Sequence, residues 1–183
     1  MKKQLVSILG VATLALATIA CGGGGGKNNS STTGGVYVAG NDVYVAGWGD
    51  TRIQGEWYDT ALLWKNGFST QLGTGATESW ANSISVSGNN VYVAGGDVNQ
   101  SGDSRAILWK NGEAQRLPIN PNHPDEYAGP YSEASSVFTK GSNTYVCGHH
   151  GDVATVWKDG AFLHSLQSAT KERPSFAHSV FVK

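Results

Sequence analysis

The phrase Val91-Tyr92-Val93-Ala94-Gly95, followed by Leu108-Trp109-Lys110-Asn111-Gly112, recurs along the chain, and nothing else constrains its fold as tightly. Val43-Tyr44-Val45-Ala46-Gly47 precedes the first phrase by 48 positions, and Thr144-Tyr145-Val146-Cys147-Gly148 follows it by 53. Leu63-Trp64-Lys65-Asn66-Gly67 and Val156-Trp157-Lys158-Asp159-Gly160 are copies of the second. A third phrase precedes each pair: Val36-Tyr37-Val38, Ser83-Ile84-Ser85-Val86 and Ser136-Val137-Phe138-Thr139, with Ser179-Val180-Phe181-Val182 as a further copy. Repetition at a fixed period marks stacked supersecondary units.

Each phrase reads as a strand, because valine, tyrosine and tryptophan dominate short runs bounded by glycine or asparagine. Asn66-Gly67, Asn111-Gly112 and Asp159-Gly160 suit tight hairpins, whose two central residues both take positive φ. Weaker fourth strands follow at Phe68 to Leu72, Glu113 to Leu117 and Ala161 to Leu166. The second strand is apolar on both faces, as in a sheet sandwiched between neighbours. The expected fold is all-β: three four-stranded antiparallel units of the β-propeller blade type, over about 36–82, 83–133 and 134–178, with a trailing strand at 179–182. Trp64, Trp109 and Trp157 share one repeat position and are expected in the core.

Three units are fewer than the four to eight blades of a closed ring. An open arc leaves two apolar faces uncovered. Two copies completing a six-bladed ring, or a fragment of a longer propeller that must self-assemble, are the two ways out.

The N-terminus is of another kind. Met1-Lys2-Lys3 precedes an apolar run to Ala20, too short for a membrane span and typical of a secretory signal peptide over 1–20. Thr18-Ile19-Ala20-Cys21 resembles the lipobox of bacterial lipoproteins, which implies lipid on Cys21 and an anchor in the cell envelope, with the outer membrane or cell surface favoured. Residues 21–35, rich in glycine, read as a flexible tether. Without Lys2 and Lys3, eleven basic residues face fourteen acidic ones, a net charge near −3 that offers no basic field to nucleic acid. Cys147 then has no intrachain partner, and its repeat position is that of a small core residue.

Val91 to Gly96 looks like the glycine doublet that ends the second strand of kelch-type repeats. The unit as a whole is similar to the kelch-like propeller repeats of bacterial exported lipoproteins, from Val36 to Lys183; the first and third copies lack the doublet. The resemblance implies a propeller and a binding platform or an enzyme, without choosing between them.

Blade topology sorts the connections. The short, constant turns open on one face, while the variable segments 47–60, 95–105, 148–153, 73–81, 118–133 and 167–177 open on the other, where binding is expected. Trp48, Trp57, Tyr58, Trp80, Tyr127 and Tyr131 lie in these segments and suit stacking on sugar rings or a protein ligand. Carboxylates beside them (Asp50, Glu56, Asp59, Glu78, Asp125, Glu126) admit an alternative, a carbohydrate-active enzyme, although no spacing singles out a catalytic pair. Asp97, Asn99, Ser101 and Asp103 alternate like the first half of a calcium loop, with Leu108 in place of the closing glutamate. His149-His150, with His123 or His178, lacks metal-ligand spacing. No other cofactor is implied.

Overall fold

Turn chemistry divides the chain. Asn66, Asn111 and Asp159 have φ of 52°, 53° and 52°, and the glycines after them 86°, 88° and 79°. The side chains of these three residues do a second job. Asn66 Oδ1 accepts the Val43 amide at 2.8 Å, Asn111 Oδ1 the Val91 amide at 2.9 Å, and Asp159 Oδ1 the Thr144 amide at 2.7 Å. Each tight turn is thereby tied to the start of the second strand.

The computed structural model describes residues 31–53, 55–76, 78–120, 131–166 and 174–183. Its strands form three four-stranded antiparallel sheets in chain order. The first holds β1 (Ser31–Ala39), β2 (Asp42–Ile53), β3 (Glu56–Lys65) and β4 (Phe68–Gln71). The second holds β5 (Glu78–Ser87), β6 (Asn90–Val98), β7 (Ser104–Lys110) and β8 (Glu113–Arg116). The third holds β9 (Ser132–Lys140), β10 (Asn143–His150), β11 (Val153–Lys158) and β12 (Ala161–Leu166). The sheets stack as blades: β5 lies against β1, β2 and β3, and β9 against β5, β6 and β7. The segment read as a signal peptide, Cys21 and the expected tether up to residue 30 lie outside the described residues.

Two boundaries differ from those read in the sequence. β1 begins at Ser31, so residues 31–35 belong to a strand and not to the tether. Their glycines are the reason: a Cβ on Gly34 would lie 2.6 Å from Ala81 O, and only glycine lets β1 come so near β5. The segment 47–60 is a regular hairpin, with β2 and β3 pairing without a break from Tyr44–Lys65 to Ile53–Glu56 around a turn at Gly55, φ 98°.

The repeat phrases form the contacts between sheets. Tyr44, Ala46 and Ala61 of the first sheet pack on Ile84, Val93 and Trp109 of the second. Tyr92, Ala94 and Leu108 of the second pack on Val137, Val146 and Trp157 of the third. The tryptophans of the second and third sheets thus each pack against the sheet before. Trp109 and Trp157 are 0 % and 1 % exposed. Trp64, expected in the core with them, is only half-buried, since no described residue covers the outward face of the first sheet. Lys65, Lys110 and Lys158 each place Nζ 5.2–5.8 Å from the ring centre of the tyrosine opposite (Tyr44, Tyr92, Tyr145), which explains the lysine in the second phrase.

A further repeat shows its purpose in three dimensions. Ser79-Trp80-Ala81-Asn82-Ser83, Ser132-Glu133-Ala134-Ser135-Ser136 and Ser175-Phe176-Ala177-His178-Ser179 share the pattern Ser-x-Ala-x-Ser. The first serine of each latches onto the preceding sheet: Ala61, Ala106 and Ala154 donate their amides to Ser79, Ser132 and Ser175 Oγ at 3.0, 2.9 and 3.0 Å. The second serine latches forward, Val137 donating to Ser83 Oγ at 3.1 Å and Val180 to Ser136 Oγ at 3.4 Å. The register slips by one residue between the two serines in the first two copies, and likewise between Thr33 and Gly35 in β1. The bulge drives a carbonyl toward the second strand, where a Cβ on Gly47, Gly95 or Gly148 would collide with Thr32, Trp80 or Glu133 O. That collision is why the first phrase ends in glycine.

Residues 174–183 occupy the place of the first strand of a further sheet. No strand runs beside them among the described residues, so the expected strand at 179–182 is a segment without a ladder. They rest on the third sheet through Ser175, Val180 and an edge-to-face contact of Phe181 on Phe138 at 5.0 Å.

Candidate functional site

Where each first strand begins and each second strand ends, opposed residues occupy equivalent positions in successive sheets, and this end of the stack is here called the mouth. The opposed pairs are Thr32 and Trp48, Trp80 and Gly96, and Glu133 and His149. Phe176 holds the corresponding place in residues 174–183. Each unit therefore contributes one ring here: Trp48, Trp80, His149 and Phe176. In the second sheet the ring comes from the first strand and not the second, and Gly96 vacates the space it needs, since a Cβ there would lie 2.7 Å from Trp80 Cζ2.

Glu133 is the carboxylate of this collar. Its Oε1 accepts from Trp80 Nε1 at 2.9 Å and from Asn82 Nδ2 at 2.5 Å, and Asn82 Nδ2 also donates to Ala134 O at 3.1 Å. These bonds cross from the second sheet to the third and fix the indole plane, leaving Trp80 partly exposed. His149 meets Phe176 edge-on at 5.1 Å. Burial holds its pKa below the ordinary 6.5, reinforced by His178 and opposed by Glu133 and Asp152. Burial also lowers His150, with His149 adding to the effect. Both ring nitrogens of His150 are out of contact with solvent and have no hydrogen-bond partner among the described residues.

The β2–β3 hairpin carries a second group. Its unbroken register puts Trp48, Asp50 and Arg52 on one face with Trp57 and Asp59, continuing the face that buries Ala46 and Ala61. The Arg52 guanidinium lies 5.8 Å from the centre of the Trp57 ring, and Trp57 is 49 % exposed. Asp50 and Asp59 stand opposite each other and share a hydrogen bond. Burial raises the Asp59 pKa, and the charges of Asp50 and Glu78 add to it. Tyr58 points to the other face of the hairpin, away from both tryptophans.

The remaining sequence candidates scatter. Tyr131 is exposed, and its carbonyl accepts the Gly151 amide at 2.7 Å. Tyr127, His123, Asp125 and Glu126 lie outside the described residues. Asp97 is fully buried, its carboxylate paired with Arg105 at 3.0 and 3.3 Å. Asn99 closes its own loop, accepting the Ser101 and Asp103 amides and donating to Asp103 Oδ2 at 2.9 Å. The guanidinium of Arg105 thus occupies both oxygens of Asp97, and the Asn99 amide one oxygen of Asp103, where a cation would need them. No group of three or more His, Cys, Asp or Glu side chains among the described residues is placed to hold a metal. Cys147 is buried, and burial pushes its thiol to about 11. In the sequence Gly96 stands out only as the end of a glycine doublet, and Glu133 and Asn82 do not stand out at all until the Ser-x-Ala-x-Ser copies are aligned.

No protein-family model and no curated protein matches the sequence. The fold is similar to part of a Bombyx mori GH32 beta-fructofuranosidase mutant in complex with sucrose. The TM-score is 0.40 and the identity 14 %, over 78 % of this chain and 35 % of that one. The chain thus spans about a third of that enzyme's length.

Proposed function

We propose that the protein is a non-enzymatic binding module of the bacterial cell envelope, held there by lipid on Cys21, which takes a saccharide at the mouth of its stacked sheets. The observation that carries this reading is the fixed indole of Trp80. A ring locked by a hydrogen bond to Glu133 and by its seat on Gly96 loses little freedom when a flat apolar sugar face stacks on it. Nearby polar groups, chiefly Glu133 and Asn82, suit hydroxyl groups. The kelch-like reading of the repeats belongs to the same proposal, as a family whose propellers serve as binding platforms and sometimes as enzymes.

Glycoside hydrolysis is the competing reading, and the facing carboxylates of the hairpin do not supply its catalytic pair. An acid and its partner must stand ~5–9.5 Å apart to admit the sugar or a water. Asp50 and Asp59 share a hydrogen bond and leave no such gap.

A panel of polysaccharides tested for both affinity and turnover decides the matter. Binding that Trp80→Ala weakens by about thirtyfold, on the order of 2 kcal/mol, without release of reducing ends supports the module. Turnover abolished by Glu133→Gln or Asp59→Asn replaces it with an enzyme.

A further inference from the structure

The first sheet turns an apolar face outward: Val36 and Val38 are 67 % and 63 % exposed, and Trp64 stands half-open beside them. Trp64 is the repeat equivalent of Trp109 and Trp157, each buried by the sheet before it. The surface that buries such a tryptophan also exists in the third sheet, where Tyr145 and Cys147 stand in the places of Tyr44 and Ala46 and of Tyr92 and Ala94. Both halves of an inter-sheet contact are thus present on one chain, on faces that cannot meet each other within it.

Residues 174–183 lie across this second half. They imitate β1 position by position: Ser175 for Ser31, Val180 for Val36, Phe181 for Tyr37 and Val182 for Val38. Only one of the two can occupy the inner part of the third sheet. β1 is committed to its own sheet, because Gly34 packs against β5 more closely than a side chain permits and Gly35 leaves almost no room for one. Residues 174–183 have no ladder, and two of their latching bonds are long, at 3.4 Å from the amides of Ala177 and Val180. They are the element that can yield.

We infer that the outward face of the first sheet docks on the third sheet of a second copy, and that residues 174–183 compete with this docking by holding the place of the incoming β1. In the docked state Ser31 Oγ takes the Ala154 amide, Ser136 Oγ takes the Val36 amide, and Trp64 enters the site that its equivalents fill within the chain. The contact made at both ends closes two copies into a ring of six sheets, within the usual range for propellers.

The test uses the full chain with Cys21→Ser, so that lipid plays no part, and light scattering from about 1 to 100 µM. Val180→Asp unseats residues 174–183, and association then begins at a concentration at least about tenfold lower than in the parent, with a mass of twice 19.2 kDa. Adding Trp64→Asp to that variant returns it to 19.2 kDa. An excess of a synthetic peptide spanning 174–183 also dissociates the Val180→Asp dimer, by refilling the third sheet. Near-ultraviolet circular dichroism confirms that the variants keep the packing of Trp109 and Trp157. A Val180→Asp chain that keeps this packing and associates no more readily than the parent overturns the inference. So does association that survives Trp64→Asp or ignores the peptide.

Discussion

The indole of Trp80 rests on Gly96, with Cζ2 2.7 Å from the point where a Cβ on that glycine would be. Its neighbour Gly95 faces an unyielding obstacle, the Trp80 carbonyl. The two adjacent glycines therefore serve different ends, and substitution separates them. Gly96→Ala meets a side chain that can tilt, and should cost about 1–3 kcal/mol while disturbing the Trp80–Glu133 bond and any saccharide affinity that depends on it. Gly95→Ala meets main chain and should cost more than about 4 kcal/mol, as should Gly47→Ala and Gly148→Ala. Urea denaturation of the four variants checks the order. Equal losses at Gly95 and Gly96 would contradict this division.

The serine latches predict a loss of similar type at equivalent sites. Ser132 is buried, and its Oγ is the acceptor of the Ala106 amide. Ser132→Ala leaves that amide unsatisfied between two sheets and should cost about 1–3 kcal/mol. Ser79→Ala should do the same at the Ala61 amide. Amide hydrogen exchange at Ala61 and Ala106 should accelerate in the matching variant only; unchanged protection would deny the latch.

Acid should weaken the third sheet. His149 and His150 both have pKa values below their ordinary 6.5, chiefly through burial. The folded chain therefore binds these protons less readily than the unfolded chain. Stability is complete above pH 6.5 and falls as the pH drops from there through the folded-state values. The melting temperature should decline between pH 7.5 and 5, and the double variant His149→Asn, His150→Asn should flatten the decline. A parent and double variant with superimposable pH profiles would rule these two residues out as its cause.

The repeat phrases told most of the fold because each residue in them has a local duty that sequence can express. Asn66 takes positive φ, Lys65 pairs with Tyr44 across a ladder, and Gly47 makes room for a bulge. The mouth was less legible because it is the part that does not repeat. Its ring comes from the second strand as Trp48, from the first as Trp80 and from the second again as His149, so no column of the aligned copies holds an aromatic throughout. Glu133 falls in one such column beside threonine, tryptophan and phenylalanine, and its bonds to Trp80 and Asn82 span 53 and 51 residues. Residues 47–60 read as a loop because Gly47, Gly49 and Gly55 are turn formers in isolation. Pairing between Trp48 and Ala61 and beyond overrides them.

Asp97 and Arg105 illustrate the same point, and they support the final prediction. Read along the chain, Asp97 begins an oxygen-rich loop; in the sheet it stands opposite Arg105 on adjacent strands, with no exposure of its own. Arg105 Nε and Nη2 approach its two oxygens at 3.0 and 3.3 Å, while the Arg105 side chain stays 24 % exposed. Removing the arginine strands a buried carboxylate, which costs far more than the pair itself contributes. Arg105→Met should therefore destabilise by about 3 kcal/mol, and Asp97→Asn with Arg105→Met should recover most of the loss. A double-mutant cycle in urea measures this directly. If calcium binds the loop instead, Arg105→Met should leave stability unchanged in the presence of calcium, because the ion would replace the lost charge.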